Sequence, residues 1–207
     1  FLADQLSRSL DRLEMDCIDG YLLHNPEYYL MWAHKWHHPL VESREIYYQR
    51  IRLAFQHLEE EVSRGRIQYY GISSNSFPAP ANDPVFTSLE TVWQIAESLS
   101  PQHHFRITQL PMNLLETGAA TERNQSGERT VLSFARQKGL AVLINRPLNA
   151  LHGDSLTRLA EMLPPSYPTT PIEVSTLVDR LGDQELAFQQ RILTLLEIPA
   201  AERRPLL

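Results

Sequence analysis

The sequence predicts an α/β fold with a parallel sheet, on three observations. Helical patterns alternate with short apolar or β-branched runs four times between Leu2 and Asn145. No two of those runs are joined by a hairpin-length connection, and each run exits into polar, turn-forming residues. A strand that returns through a helix before the next strand begins pairs parallel to it, so parallel β/α architecture is the economical solution.

Leu2, Leu6, Leu10 and Leu13 recur at helical spacing and predict an amphipathic helix ending near Glu14. CIDGYLL reads as a strand buried on both faces, with His24 at its carboxyl end. Residues 25–41 turn to Pro, Trp, Tyr and His, a long connection of the kind that builds or covers a site. From Ser43 a helix presents Ile46, Tyr47, Ile51, Phe55, Leu58 and Val62 on one face until Gly65 stops it. Within it, the LEEE run at 58–61 reads as a solvated side. RIQYYGISSN supplies the second strand, breaking at Gly71 into a Ser/Asn turn. A helix over about Pro84–Leu99 precedes the strand in HHFRITQLPMN, and one over about Thr121–Lys138, stopped by Gly139, precedes LAVLIN. Beyond Pro147 come Pro-rich connections between short helical stretches at 155–162, 172–180 and 184–196. The expected division is a β/α portion over 1–151 and a helical extension over 152–207.

Composition narrows the partners. A chain that is 43% hydrophobic and 21% charged has the make-up of a globular domain. A net charge of -6, with the basic residues dispersed, gives no reason to expect nucleic acid or an acidic membrane. Small molecules or proteins are the expected partners. One cysteine, Cys17, excludes an internal disulfide framework and a multi-cysteine zinc site; its apolar neighbourhood predicts a buried thiol in a reducing, cytoplasmic setting. No apolar run reaches the roughly 20 residues that span a bilayer. FLADQLSRSLDRL begins inside a helix, without an initiator Met and without a signal peptide's basic start, so the chain is expected to be part of a longer one.

The four strand exits, LLHNP, GISSNS, TQLPMN and NRPLNAL, in that order resemble the aldo-keto reductase superfamily. SLDRLEMDCIDGYLLHNP is similar to its helix-to-strand segment ending in histidine, GRIQYYGISSNSF to its G-[IV]-S-N turn, and GLAVLINRPL to its late strand closing on Pro-Leu. QLPMNLLE together with NRPLNAL resembles a bacterial subgroup. The resemblance runs from Leu6 to about Leu151 and implies part of a TIM (β/α)8 barrel, roughly strands four to seven with their helices. Four such units do not close an eight-stranded barrel, and an open sheet with a raw edge predicts self-pairing, oligomerisation or a partner half.

The resemblance further implies an oxidoreductase that transfers hydride from a nicotinamide dinucleotide to a small aldehyde or ketone. NADP(H) is expected ahead of NAD(H), although the segment that would read the adenosine 2′-phosphate is not recognisable. The nucleotide is held without a Rossmann motif, and neither G-x-G-x-x-G nor a P-loop occurs in the sequence. His24 matches the strand-end histidine that orients the carbonyl and assists proton delivery; a histidine there also serves simply to cap a backbone carbonyl. Ser73, Ser74 and Asn75 match the turn that binds the nicotinamide carboxamide, with an extra serine that leaves open whether Ser74 or Asn75 takes the amide. Gln109 matches the glutamine that contacts the same carboxamide, or is a buried amide satisfied by the sheet. Asn145 stands where many members carry an aromatic stacked on the nicotinamide. Arg146 could pair with the pyrophosphate or with a protein carboxylate, and Pro147 and Leu148 shape the loop.

The family's other catalytic groups, an aspartate, a tyrosine and a lysine, belong to earlier strands, so the 207 residues alone are expected to be inactive. A non-catalytic nucleotide-sensing or scaffolding relative is the alternative. No metal is expected: His34, His37 and His38 lack cysteine or H-E-x-x-H support, and with Tyr28, Tyr29, Trp32 and Trp36 they read as a loop over the barrel mouth.

Overall fold

The computed structural model describes residues 1–152, 155–160 and 171–195. It divides into two compact units, Phe1–Pro147 and Leu148–Leu207. The first contains α1 (Leu2–Leu13), β1 (Ile18–His24), α2 (Tyr28–Lys35), α3 (Leu40–Ser63), β2 (Ile67–Ser73), α4 (Leu89–Leu99), β3 (Phe105–Pro111), α5 (Gly118–Thr121), α6 (Val131–Gln137) and β4 (Ala141–Asn145).

The four strands form one parallel sheet in the order β1-β2-β3-β4. Sequential neighbours with right-handed crossovers place their connecting helices on the same face. There the core gathers: Tyr47, Ile51 and Phe55 of α3, Leu89, Val92 and Ala96 of α4, and Val131 and Phe134 of α6 pack with Tyr70, Ile72, Phe105 and Leu110 of the sheet. Because strand side chains alternate, Gly71 and Ser73 leave by the opposite face from Tyr70 and Ile72. Gly71 has no substitute there, since a Cβ would lie 2.0 Å from the Ile107 carbonyl oxygen. The β2–β3 register shift between Tyr70 and Gly71 brings that backbone close.

Several expectations are corrected in this unit. β1 is half-buried rather than buried on both faces, because it is an edge strand. Cys17 is likewise half-buried. The connection after β1 contains a helix, α2, and α3 begins three residues before Ser43. The helix expected from Pro84 starts at Leu89, where the Ser88 hydroxyl caps it by accepting the Thr91 N–H. The helix expected over about Thr121–Lys138 is broken into α5 and α6, because Gly127 and Glu128 adopt positive φ in a turn closed by a Gln125–Arg129 bridge. Within LEEE only Glu60 is exposed; Leu58 and Glu61 are buried.

The second unit has an antiparallel pair, β5 (Asn149–His152) with β6 (Ser155–Arg158), and a helix α7 (Pro171–Leu195). Ser155–Arg158 is thus a strand, not the start of a helix, held by pairing that local periodicity does not show. The stretches at 172–180 and 184–195 merge through Gly182 into one helix, since an internal glycine costs only about 1 kcal/mol relative to alanine. Residues 161–170 and 196, also part of the expected pattern, lie outside the described residues. No helix among the described residues is long and apolar enough to cross a membrane.

Candidate functional site at the carboxyl ends of the strands

His24, Ser73 and Gln109 are register partners on β1, β2 and β3, and Leu143 continues the row on β4. Side chains at one register level of a parallel sheet leave by the same face, the face opposite the helical core. His24 is exposed at the strand end, where it borders a cavity of about 470 Å³ that runs along β1 on its helical side, lined by Leu2 and Gln5 of α1 and Tyr47 and Ile51 of α3. Its ring has no hydrogen-bond partner among the described residues. Burial pushes the Tyr21 and Tyr47 phenols up, so both remain protonated at neutral pH.

The turn after β2 separates the three expected residues. Ser73 is buried, and its hydroxyl donates to Gln109 Oε1 at 2.7 Å. Gln109 Nε2 is left without a protein partner among the described residues. Ser74 is fully buried and belongs to a chain of hydroxyls, Ser74 to Ser76 at 3.1 Å, Ser76 to Thr87 at 2.8 Å and Thr87 to Tyr47 at 2.8 Å. Its N–H donates to the Gln109 carbonyl at 3.0 Å. Asn75 is exposed. Its Nδ2 donates to Asn25 Oδ1 at 3.2 Å and its backbone N–H to Glu27 Oε1 at 2.8 Å. A free amide donor on Gln109 and a free amide acceptor on Asn75 suit a ligand carboxamide, which offers one acceptor and one donor.

Beyond β4, Asn145 is half-buried with its Oδ1 unpartnered among the described residues, while its backbone carbonyl accepts the Met112 N–H at 3.4 Å. Arg146 turns the chain at φ 54°. Its Nη2 pairs with Glu116 Oε1 at 2.5 Å, and its buried Nε has no partner among the described residues. Asn113 braces this exit, donating to Glu116 Oε2 at 2.7 Å and to the Arg146 carbonyl at 3.2 Å. One edge of the guanidinium therefore meets a carboxylate, the arrangement the sequence left as an alternative to pyrophosphate. Pro147 closes the first unit and is exposed; Leu148 opens the second and is exposed.

Asn25, Glu27, Asn113 and Glu116 were not among the residues the sequence singles out. The signal for the first two is short: a polar HNPE exit in which Asn25 takes a positive φ of 48°, a conformation asparagine tolerates better than most. In α2 and its exit, His34, His37 and His38 are all exposed. His38 stacks on Trp32 at 4.8 Å, Trp32 on Tyr29 at 6.0 Å, and the Arg50 guanidinium lies 4.1 Å over Tyr29. Among the described residues no group of three or more His, Cys, Asp or Glu side chains is placed to hold a metal ion.

No curated protein matches the chain. The model of the aldo/keto reductase family matches residues 1–159. That family comprises TIM-barrel oxidoreductases that use NAD(P)H and act on small carbonyl compounds, and the parallel β/α sheet is consistent with part of such a barrel. With the match covering well over half of its length, the chain belongs to the aldo/keto reductase family.

Proposed function

We propose that the carboxyl ends of β1 to β4 form the nicotinamide-binding side of an NAD(P)H-dependent carbonyl reductase, with NADP(H) as the nucleotide to test first. The observation that carries this reading is the pair of open amide groups on Gln109 and Asn75, beside His24 at the same end of the sheet. When bound, the nucleotide supplies the hydride. Ser73 holds the Gln109 amide so that Nε2 remains available to a carboxamide oxygen, while Asn75 Oδ1 accepts from the carboxamide nitrogen. Ser74 serves from inside, fixing the turn through its hydroxyl chain. Arg146 offers its unpaired Nε edge to a phosphate oxygen, Asn145 borders the ring without stacking on it, and Pro147 and Leu148 carry the chain away. His24 hydrogen-bonds the carbonyl oxygen and helps deliver its proton.

In this reading β1 to β4 are the fourth to seventh strands of the barrel, residues 1–151 belong to it and residues 152–207 form an extension. Turnover belongs to a cytoplasmic, full-length parent in which an aspartate, a tyrosine and a lysine accompany His24. The unheld His24 ring favours a second reading, a non-catalytic nucleotide-binding relative. Titrating NADPH and NADH into the chain while following tryptophan fluorescence tests what the readings share. Saturable binding is expected, and its absence overturns both. Reduction of a simple aldehyde by the full-length parent, lost with His24→Ala while binding persists, separates the first from the second.

A further inference from the structure

We propose that Glu27, with Asn25, is a positioning strut that sets Asn75 for the nicotinamide carboxamide and ties it to the strand end bearing His24. This inference rests on the nucleotide reading above. Asn75 is the exposed member of its turn, yet it is fixed at two points by buried groups from a loop 48 residues away in sequence. Glu27, 2% exposed, accepts the Asn75 main-chain N–H, and Asn25, 8% exposed, accepts its side-chain amide. Asn25 is itself held from two sides: its N–H donates to the Ser73 carbonyl at 2.8 Å and its Nδ2 to the Tyr28 hydroxyl at 2.9 Å. With Nδ2 of Asn75 engaged, its Oδ1 is the group left to face a ligand.

Stability alone does not explain a carboxylate in this place. Glu27 Oε2 is buried without a partner among the described residues, and an unsatisfied buried polar atom costs folding free energy. A local violation of that kind is expected where function demands it. Because Asn25 and Glu27 lie one and three residues beyond His24, any shift of the β1 exit moves both the histidine and the amide acceptor. The strut thus keeps hydride donor and carbonyl-orienting group in one frame, the requirement for a productive approach.

The test uses the 207-residue chain, with NADPH and, as the probe lacking nicotinamide, ADP-ribose 2′-phosphate. Wild type binds NADPH the more tightly. Glu27→Ala weakens NADPH about tenfold, the value of one charge-assisted hydrogen bond, and leaves ADP-ribose 2′-phosphate within about twofold. Glu27→Gln, which still offers an acceptor to the Asn75 N–H, restores most of the loss. Asn25→Gly, which keeps the positive φ and removes the side chain, repeats the selective loss and carries the test where Glu27→Ala does not fold. Equal weakening of both nucleotides, or a preference for NADPH that survives Glu27→Ala and Asn25→Gly, overturns the strut alone. A wild-type chain that binds the two nucleotides equally overturns the nicotinamide reading and the strut with it.

Discussion

The two ends of the sheet are built on opposite rules. At the amino-terminal end the buried Glu61 and the half-buried Glu59 are saturated. Glu61, with a fully buried side chain, receives Arg64 at 2.6 Å and Arg66 at 2.9 Å, and Arg66 also reaches the Ser7 hydroxyl at 2.6 Å. Glu59 accepts the Tyr70 hydroxyl and the His104 N–H, each at 2.7 Å, and meets the His104 ring at 2.8 Å. At the carboxyl-terminal end Glu27, Asn145 and Arg146 each keep a buried polar atom without a partner among the described residues. In β/α barrels the amino-terminal face reads as stability and the carboxyl-terminal face as chemistry. The acidic groups of this chain follow that division, although His57 Nε2 and Trp93 Nε1, toward the amino-terminal end, are also buried without a hydrogen-bond partner among the described residues.

The comparison breaks if variants at the two ends behave alike. Glu61→Ala carries the largest expected effect: it removes the charge-assisted hydrogen bonds from Arg64 and Arg66 and should cost about 3 kcal/mol in urea unfolding, with nucleotide affinity in the folded fraction unchanged. His24→Ala is next. In the proposed full-length enzyme it should lower turnover by about a hundredfold, within the range of general acid–base assistance, while the unfolding midpoint moves little because the side chain is exposed. Gln109→Ala should weaken NADPH about tenfold and lower the unfolding free energy by about 1–3 kcal/mol, because the buried Ser73 hydroxyl loses its acceptor. A Gln109→Ala chain that loses stability and keeps its affinity would place Gln109 with the amino-terminal groups.

The smallest effect is a pH dependence. Burial alone would raise Glu59, but hydrogen bonds from the His104 amide and ring and the Tyr70 hydroxyl outweigh it and hold the carboxyl below its ordinary value. A depressed native pKa contributes stability that is fully present above the unfolded carboxylate range and is lost as pH falls through the native value. Burial, with the nearby Arg106 charge, lowers His103, so the unfolded chain takes up that proton first and stability falls further below about pH 6.5. Unfolding free energy should therefore fall on acidification in wild type, and Glu59→Gln should flatten the lower part of that curve without altering nucleotide affinity.

Much of this was legible in the sequence because it is periodic. The alternation of helical stripes and apolar runs places all four parallel strands, and His24, Ser73 and Gln109 were found from their positions at strand exits; the register aligns them. What escaped depends on contacts between distant residues. Glu61 sits in a run of like charges whose burial is decided by Arg66, across the α3–β2 turn. Glu27 is one more polar loop residue until folding brings Asn75 against it. The break between α5 and α6 and the β5–β6 hairpin likewise depend on pairing rather than on pattern.

The most direct measurement of the division is amide hydrogen exchange of the chain with and without NADPH. The account predicts protection at residues 73–76, 109–113 and 145–146, with residues 59–66 and 103–104 unchanged. Protection at the amino-terminal turns, or none at either end under saturating nucleotide, would contradict it.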